Sequence, residues 1–296
     1  MDKYGLIILV SIIMGTVARL LMLRTDYRFY PGYPHGYVTH ISVGFIAAAL
    51  GAVAVPALAE KDFTAVTFLA LAAQQFREIR NMEREALAKL EKRELVPRGL
   101  DYIEGIAKVF EARNYLVMGT SLLVSFVSYF SNYIWGIASG IAAFVIAKML
   151  MRGETIADIA TIQAARLHFE GPFLKADEIV IMNVGLKKAQ EKIMRDGLAV
   201  RIIPKNDNGR LTLHDAGQRQ AIIHTAAALL GTKREIGEAE WTPLARKNLD
   251  TGEVCLFIIP NEPDLDCLIE AVKRTPVLES AKRRPLATTI GKAAAD

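Results

Sequence analysis

The sequence predicts an α-helical polytopic membrane domain of about five transmembrane helices followed by a small α/β domain on the cytosolic side. Three observations predict it. Apolar residues crowd into positions 1–152, in runs close to the length of a bilayer crossing. A strongly charged stretch, 77–118, interrupts those runs. From Gly153 onward the pattern changes to alternating strands and helices. Hydrophobic residues make up 52% of the 296 positions and the mean hydropathy is +0.23, both high for a soluble chain. A net charge of only +4 argues against nucleic acid as a partner. Cys255 and Cys267 lack CxxC spacing and read as free thiols in a reducing compartment.

The first span covers 4–23 and has no clear cleavage site, so it is expected to stay attached. Arg19, near its end, is placed to snorkel towards headgroups. The loop 24–40 is rich in Tyr, Pro and Gly, which disfavours a helix there. Its Tyr27, Phe29, Tyr30, Tyr33 and Tyr37 suit a membrane interface, or else the lip of a substrate or partner site. His35 and His40 have no Cys or acidic partner in register, so no metal site is expected.

A second span at 41–58 is rich in Ala and Gly, which allows close helix contact. The third, 63–76, is short and is expected to run on as one long helix. The fourth and fifth, 115–130 and 133–151, are joined by a turn at Ser131-Asn132. Ser121, Ser125 and Ser128 share one helix face and read as a packing stripe, as do Gly136 and Gly140. Nine Lys/Arg residues lie between spans three and four. By the positive-inside rule this orients the N-terminus outside, with the charged insert and the C-terminal domain in the cytosol. Charges are nearly absent within the spans, which disfavours a transporter. The domain boundaries are therefore 1–152 for the membrane part with its charged hairpin at 77–114, 153–280 for the α/β part, and 281–296 for a disordered basic tail.

The hairpin opens with an amphipathic helix at 77–94, ended by Pro97 and Gly99. A second helix starts at Asp101 and runs into span four. Glu104, Lys108 and Glu111 share one face of it, and Tyr102, Ile103, Ile106 and Phe110 another. Gly105 costs a helix about 1 kcal/mol relative to Ala, which suggests close approach of a backbone or ligand. Two readings stay open. The hairpin is a salt-bridged support that positions the soluble domain, or it is a functional cluster. In the second case Glu104, Asp101 and Glu111 are the candidate general acids and bases. The polar and aromatic groups Arg80, Asn81, Glu83, Arg84, Arg98, Tyr102, Arg113 and Asn114 are the candidate partner-binding set.

In the C-terminal half the pattern predicts helices near 154–168, 186–196, 216–230 and 264–274. Strands are expected at 178–185 and 198–204, with a turn at 206–209 before the segment 210–215, and a strand pair near 246–247 and 254–259. Asp215-Ala216-Gly217 and Asp250-Thr251-Gly252 look like the D-[TS]-G loop of aspartic proteases, which need two carboxylates sharing a proton. Asp215 also suits a helix N-cap, and Asp250 a hairpin turn. His168, His214 and His224 read as surface or satisfied histidines. No phosphate loop, HExxH or GxSxG string is present, so no familiar cofactor is expected.

Residues 102–107 spell YIEGIA, flanked by IRNMER at 79–84, ELVPRG at 94–99 and FEARNYL at 110–116. In these strings the chain resembles the YIEGIA family of membrane proteins from endospore-forming bacteria. The resemblance implies a role in sporulation, a place in the bacterial cell membrane and the activity of a membrane-bound protease on a cytosolic-side protein. The expected five spans with a cytosolic domain also resemble a sporulation aspartic protease that processes an early mother-cell sigma factor. The competing expectation is a non-catalytic scaffold or regulator that binds a protein partner through the hairpin and the α/β domain. Either reading has the lipid bilayer as a partner and leaves room for a homo-oligomer.

Overall fold

The computed structural model describes residues 4–26, 34–92, 94–150, 153–232 and 241–294. The chain forms two compact units, Met1–Ala86 with Ile106–Arg152 and Leu87–Gly105 with Gly153–Asp296.

Five helices build the first unit, α1 (Gly5–Asp26), α2 (Pro34–Ala59), α3 (Phe63–Glu91), α4 (Leu100–Phe130) and α5 (Tyr133–Leu150), with the division between units falling inside α3 and α4. The expected loop up to His40 is shorter than the sequence suggests, because α2 already begins at Pro34. Proline suits a first helical position, where its fixed φ is helical and its missing N–H bonds nothing. Tyr27, Phe29, Tyr30 and Tyr33 lie outside the described residues. Asp62 Oδ1 accepts from Ala65 N–H at 2.9 Å, starting α3, and Asn132 Oδ1 accepts from Ile134 and Trp135 N–H, starting α5. As the sequence suggests, α3 runs on unbroken through the charged segment.

Among the described residues two helices are long and apolar enough to cross a membrane, Gly5–Leu23 and Gly36–Ala59. The apolar run Tyr133–Met149 is shorter, and the apolar parts of α3 and α4 each meet a charged half.

Small residues set the packing of this unit. A Cβ on Gly15 would press on Ala48 and Ser121, and one on Gly51 would run into the Met118 carbonyl oxygen. Ser121 Oγ lies 2.7 Å from both the Ser11 and Ala48 carbonyl oxygens, and Ser125 Oγ donates to Ala52 O at 2.9 Å. The serine stripe therefore ties α4 to α1 and α2 through backbone carbonyls. Gly136 abuts Ser128, and Gly140 abuts Val124 and Met14.

The second unit contains α6 (Ile156–Ile159), β1 (Ala160–Ala164), β2 (Leu167–Glu170), β3 (Phe173–Ala176), β4 (Ile179–Asn183), α7 (Lys187–Asp196), β5 (Leu198–Pro204), α8 (Asp207–Leu213) and α9 (Ala216–Leu230). It continues with β6 (Leu244–Lys247), β7 (Val254–Ile258), α10 (Leu265–Lys273), a 3-10 turn (Pro285–Ala287) and α11 (Thr289–Ala293). One antiparallel sheet has the order β1-β5-β7-β6 and a second the order β2-β3-β4. Strand β7 is apolar throughout because both its faces are covered. Val254, Leu256 and Ile258 join a core with α9 and α10, while Cys255, Phe257 and Ile259 join one with β3, β4 and α7.

Three expectations are corrected. The helix expected over 154–168 is a single turn, α6, followed by β1 and β2, since Ile156, Ala160 and Ile162 are buried in the first core. The segment after Asn206 is helical: Asn206 Oδ1 accepts from Gly209 N–H at 3.0 Å and caps α8. The tail beyond Ala281 carries the 3-10 turn and α11, and Ala281 itself is fully buried.

Candidate functional site

The first unit holds a polar cluster inside its helical packing. Arg19, expected at a headgroup, is instead 0% exposed. Its Nη2 lies 2.6 Å from His40 Nδ1, and its Nε donates to the His40 carbonyl at 3.2 Å. Since a guanidinium only donates, His40 Nδ1 accepts, and the imidazole is neutral with its proton on Nε2. Phe110 closes the arrangement, with its ring 4.7 Å from His40 edge-on and 5.6 Å from the Arg19 Cζ. Gly44 makes the room, because a Cβ there would overlap the aliphatic stem of Arg19. Sequence reading missed this pair because its members are 21 positions apart, in segments read as a span and a loop. The available signal was an arginine within an apolar run with a glycine facing it from the next helix.

One turn along α4 stand Glu111, Arg113 and Asn114. Arg80 Nη1 donates to Glu111 Oε2 at 2.9 Å, joining α3 to α4, with the Glu111 side chain 13% exposed. Arg113 is buried as well. Asn114 is 0% exposed, and neither its Nδ2 nor its Oδ1 has a hydrogen-bond partner among the described residues. An amide buried that way costs about 1–3 kcal/mol. Asn114→Leu, similar in size, is therefore expected to raise the stability of the detergent-solubilised protein by ~1 kcal/mol or more, read from its denaturation midpoint. A fall in stability would show that the amide is held by the fold itself.

A second cluster forms in the other unit, around the segment joining α3 to α4. The Glu91 carboxylate accepts from the Arg98 backbone N–H, with the Arg98 Nη1 3.8 Å away. Gly99 turns the chain with φ +91° and packs on Gln220. Gln220 Nε2 donates to the Pro97 carbonyl at 2.6 Å. His224 Nδ1 is 2.8 Å from the Val96 carbonyl and its Nε2 is 3.2 Å from Arg98 Nε. Tyr102 lies edge-on to the His224 ring at 6.4 Å, and burial pushes its hydroxyl up to about 12. Asp101 packs over Gly217.

The remaining candidates are dispersed. Asp215 caps α9, its Oδ1 accepting from Gln218 N–H at 3.1 Å. Asp250 is exposed in the β6–β7 turn, where Asn248 Oδ1 accepts from the Asp250 and Thr251 N–H groups. No contact between these two carboxylates is found among the described residues. Asn81 and Glu83 are half-buried on α3 and Arg84 is exposed. His214 Nε2 meets the Gly252 carbonyl at 3.2 Å. Burial pushes the Cys255 thiol up to about 12, as expected of an inert core cysteine. Among the described residues no group of His, Cys, Asp and Glu is placed to hold a metal ion.

The family profile described as YIEGIA protein matches residues 7–288. The chain belongs to the YIEGIA family. It is 42% identical over 285 residues to the uncharacterized protein YphB of Bacillus subtilis (strain 168), covering 96% of each chain. No solved structure matches. The hexapeptide that names the YIEGIA family lies in the first turns of α4. Tyr102 faces His224 on α9, while Ile103, Ile106 and Ala107 are buried. The close approach expected at Gly105 is not found, since a Cβ there would meet nothing within 4 Å. In the YIEGIA chain this glycine leaves open space beside Glu104.

Proposed function

We propose that this protein is a multi-pass membrane protein of spore-forming cells that acts as a scaffold or regulator, binding a cytosolic-side protein through its charged hairpin and α/β body. Helices α1 and α2 supply two crossings. The apolar parts of α3, α4 and α5 supply three more, with the basic insert on the cytosolic side. The observation that carries the non-catalytic reading is the use made of the nominated carboxylates. Of the five, Glu111 holds Arg80, Asp215 caps a helix, Asp101 packs on Gly217 and Asp250 sits in an exposed turn, while Glu104 is half-buried on α4.

The protease reading draws support from a different observation. Burying Arg19, His40, Arg113 and Asn114 among apolar helices is costly, and ionisable groups at such depth commonly serve function. One experiment separates the two. Membranes carrying wild type, Glu104→Gln or Asp250→Asn are incubated with the cytosolic proteome of sporulating cells. The scaffold reading expects the same proteins to co-purify intact with all three. Loss of a protein with wild type and its survival with either variant would replace scaffold with protease and locate the carboxylate.

A further inference from the structure

The segment joining α3 to α4 is fastened to α9 by hydrogen bonds that fit one protonation state of one side chain. The Val96 carbonyl can only accept, so His224 Nδ1 carries the proton and donates. Arg98 Nε–H can only donate, so His224 Nε2 must offer its lone pair. The clasp closes around a neutral imidazole. A second proton would set an N–H of His224 against an N–H of Arg98, both cationic. We infer that the clasp is an acid-sensitive latch, in which protonation of His224 Nε2 expels the Arg98 guanidinium and releases residues 94–99 from α9.

The charges around His224 define the exchange. From the joining segment Arg98 opposes the second proton and Glu94 favours it, and from the end of α3 Glu91 favours it too. From α4 come Tyr102, which stays neutral through this range, and Asp101, packed further along α9 at Gly217. Burial is the strongest influence and holds the imidazole below its ordinary value. Glu91, bound to Arg98 in the closed latch, loses that partner when Arg98 leaves, and with Glu94 it favours the imidazolium.

The sign follows. The closed latch binds fewer protons than the open one, because its histidine titrates lower. Closure is therefore fully favoured above ~6.5 and weakens as the pH falls below it. Gln220 still holds the Pro97 carbonyl, so release starts at Val96 and Arg98.

The test is hydrogen exchange in the full-length protein in lipid nanodiscs, corrected for intrinsic rates, at about pH 7.5 and about pH 5.5, on either side of the free imidazole value. The Arg98 amide, bonded to Glu91, is the direct reporter. It is expected to exchange several-fold faster at the lower pH in wild type. His224→Gln should remove that response, and His224→Lys should expose the amide at both values. Protection of the Cys255 thiol reports whether each variant keeps the α/β core. If His224→Gln loses that protection, Arg98→Leu takes its place, and the amides of residues 94–96 should then be equally protected at both values. A flat wild-type response, or an unchanged response in the folded His224 or Arg98 variants, overturns the latch.

Discussion

Gly51→Ala is expected to destabilise the helical unit by ~2–4 kcal/mol, an effect out of proportion to one methyl group. The added Cβ would land on the Met118 carbonyl oxygen and within 3.0 Å of the Leu122 nitrogen. Both belong to the backbone of α4, so no side chain can rotate away. The helices must separate instead, and the cost falls on contacts beside the crossing. Ser121 and Ser125 reach the Ala48 and Ala52 carbonyls of α2 on either side of Gly51. Each such bond contributes about 0.5–1.5 kcal/mol. Gly119→Ala is the control, on α4 itself, where a Cβ would meet nothing. It should be neutral or gain up to ~1 kcal/mol from helix propensity. The measurement is the midpoint of SDS unfolding in mixed micelles, followed by circular dichroism. Equal midpoints for Gly51→Ala and wild type would mean that α2 and α4 do not cross at this contact.

Phe257→Ala is expected to cost about 3–5 kcal/mol and to open the α/β core. Phe257 is fully buried on the face of β7 that meets β3, β4 and α7, beside Cys255. β7 is also the strand that joins β5 to β6, so a cavity there loosens both neighbours. Cys255 supplies the assay. Its thiol is buried and pushed up to about 12, so at neutral pH it should react with a disulfide reagent far more slowly than the half-exposed Cys267. In Phe257→Ala the slow thiol should become fast. Persistence of one slow thiol would show that the core closes over the cavity.

The fold was legible where local chemistry and burial agree. Strand β5 reads directly from LAVRIIP, helix α9 from its Asp215 cap, and β7 from an apolar run too short for a core helix. The reading failed at 154–168, where TIADIATIQAA has the composition of a helix while its burial follows the alternation of β1. There tertiary burial outweighs propensity. Of the site, the Arg80 and Glu111 positions were singled out one by one, but their pairing needs two helices side by side. Arg19 stands out only as a charge inside an apolar run, and its grouping with His40 and Gly44 carries no short-range signal, since what unites them is the packing of α1 on α2. His224 was set aside as a satisfied histidine. It is satisfied, and the donors and acceptors that satisfy it are what make it sensitive to acid.

The joining segment also has a place in time. Arg98 and His224 are 126 positions apart, so the ribosome makes one long before the other. At ordinary rates of synthesis that interval is roughly 6–25 s. During it Val96, Pro97 and Arg98 have no α9 to close on, while α4, α5 and the first strands are still being made. Every newly made molecule thus passes through an unlatched infancy, whatever the pH, in which the segment beside the family's signature string is open to any factor that meets it.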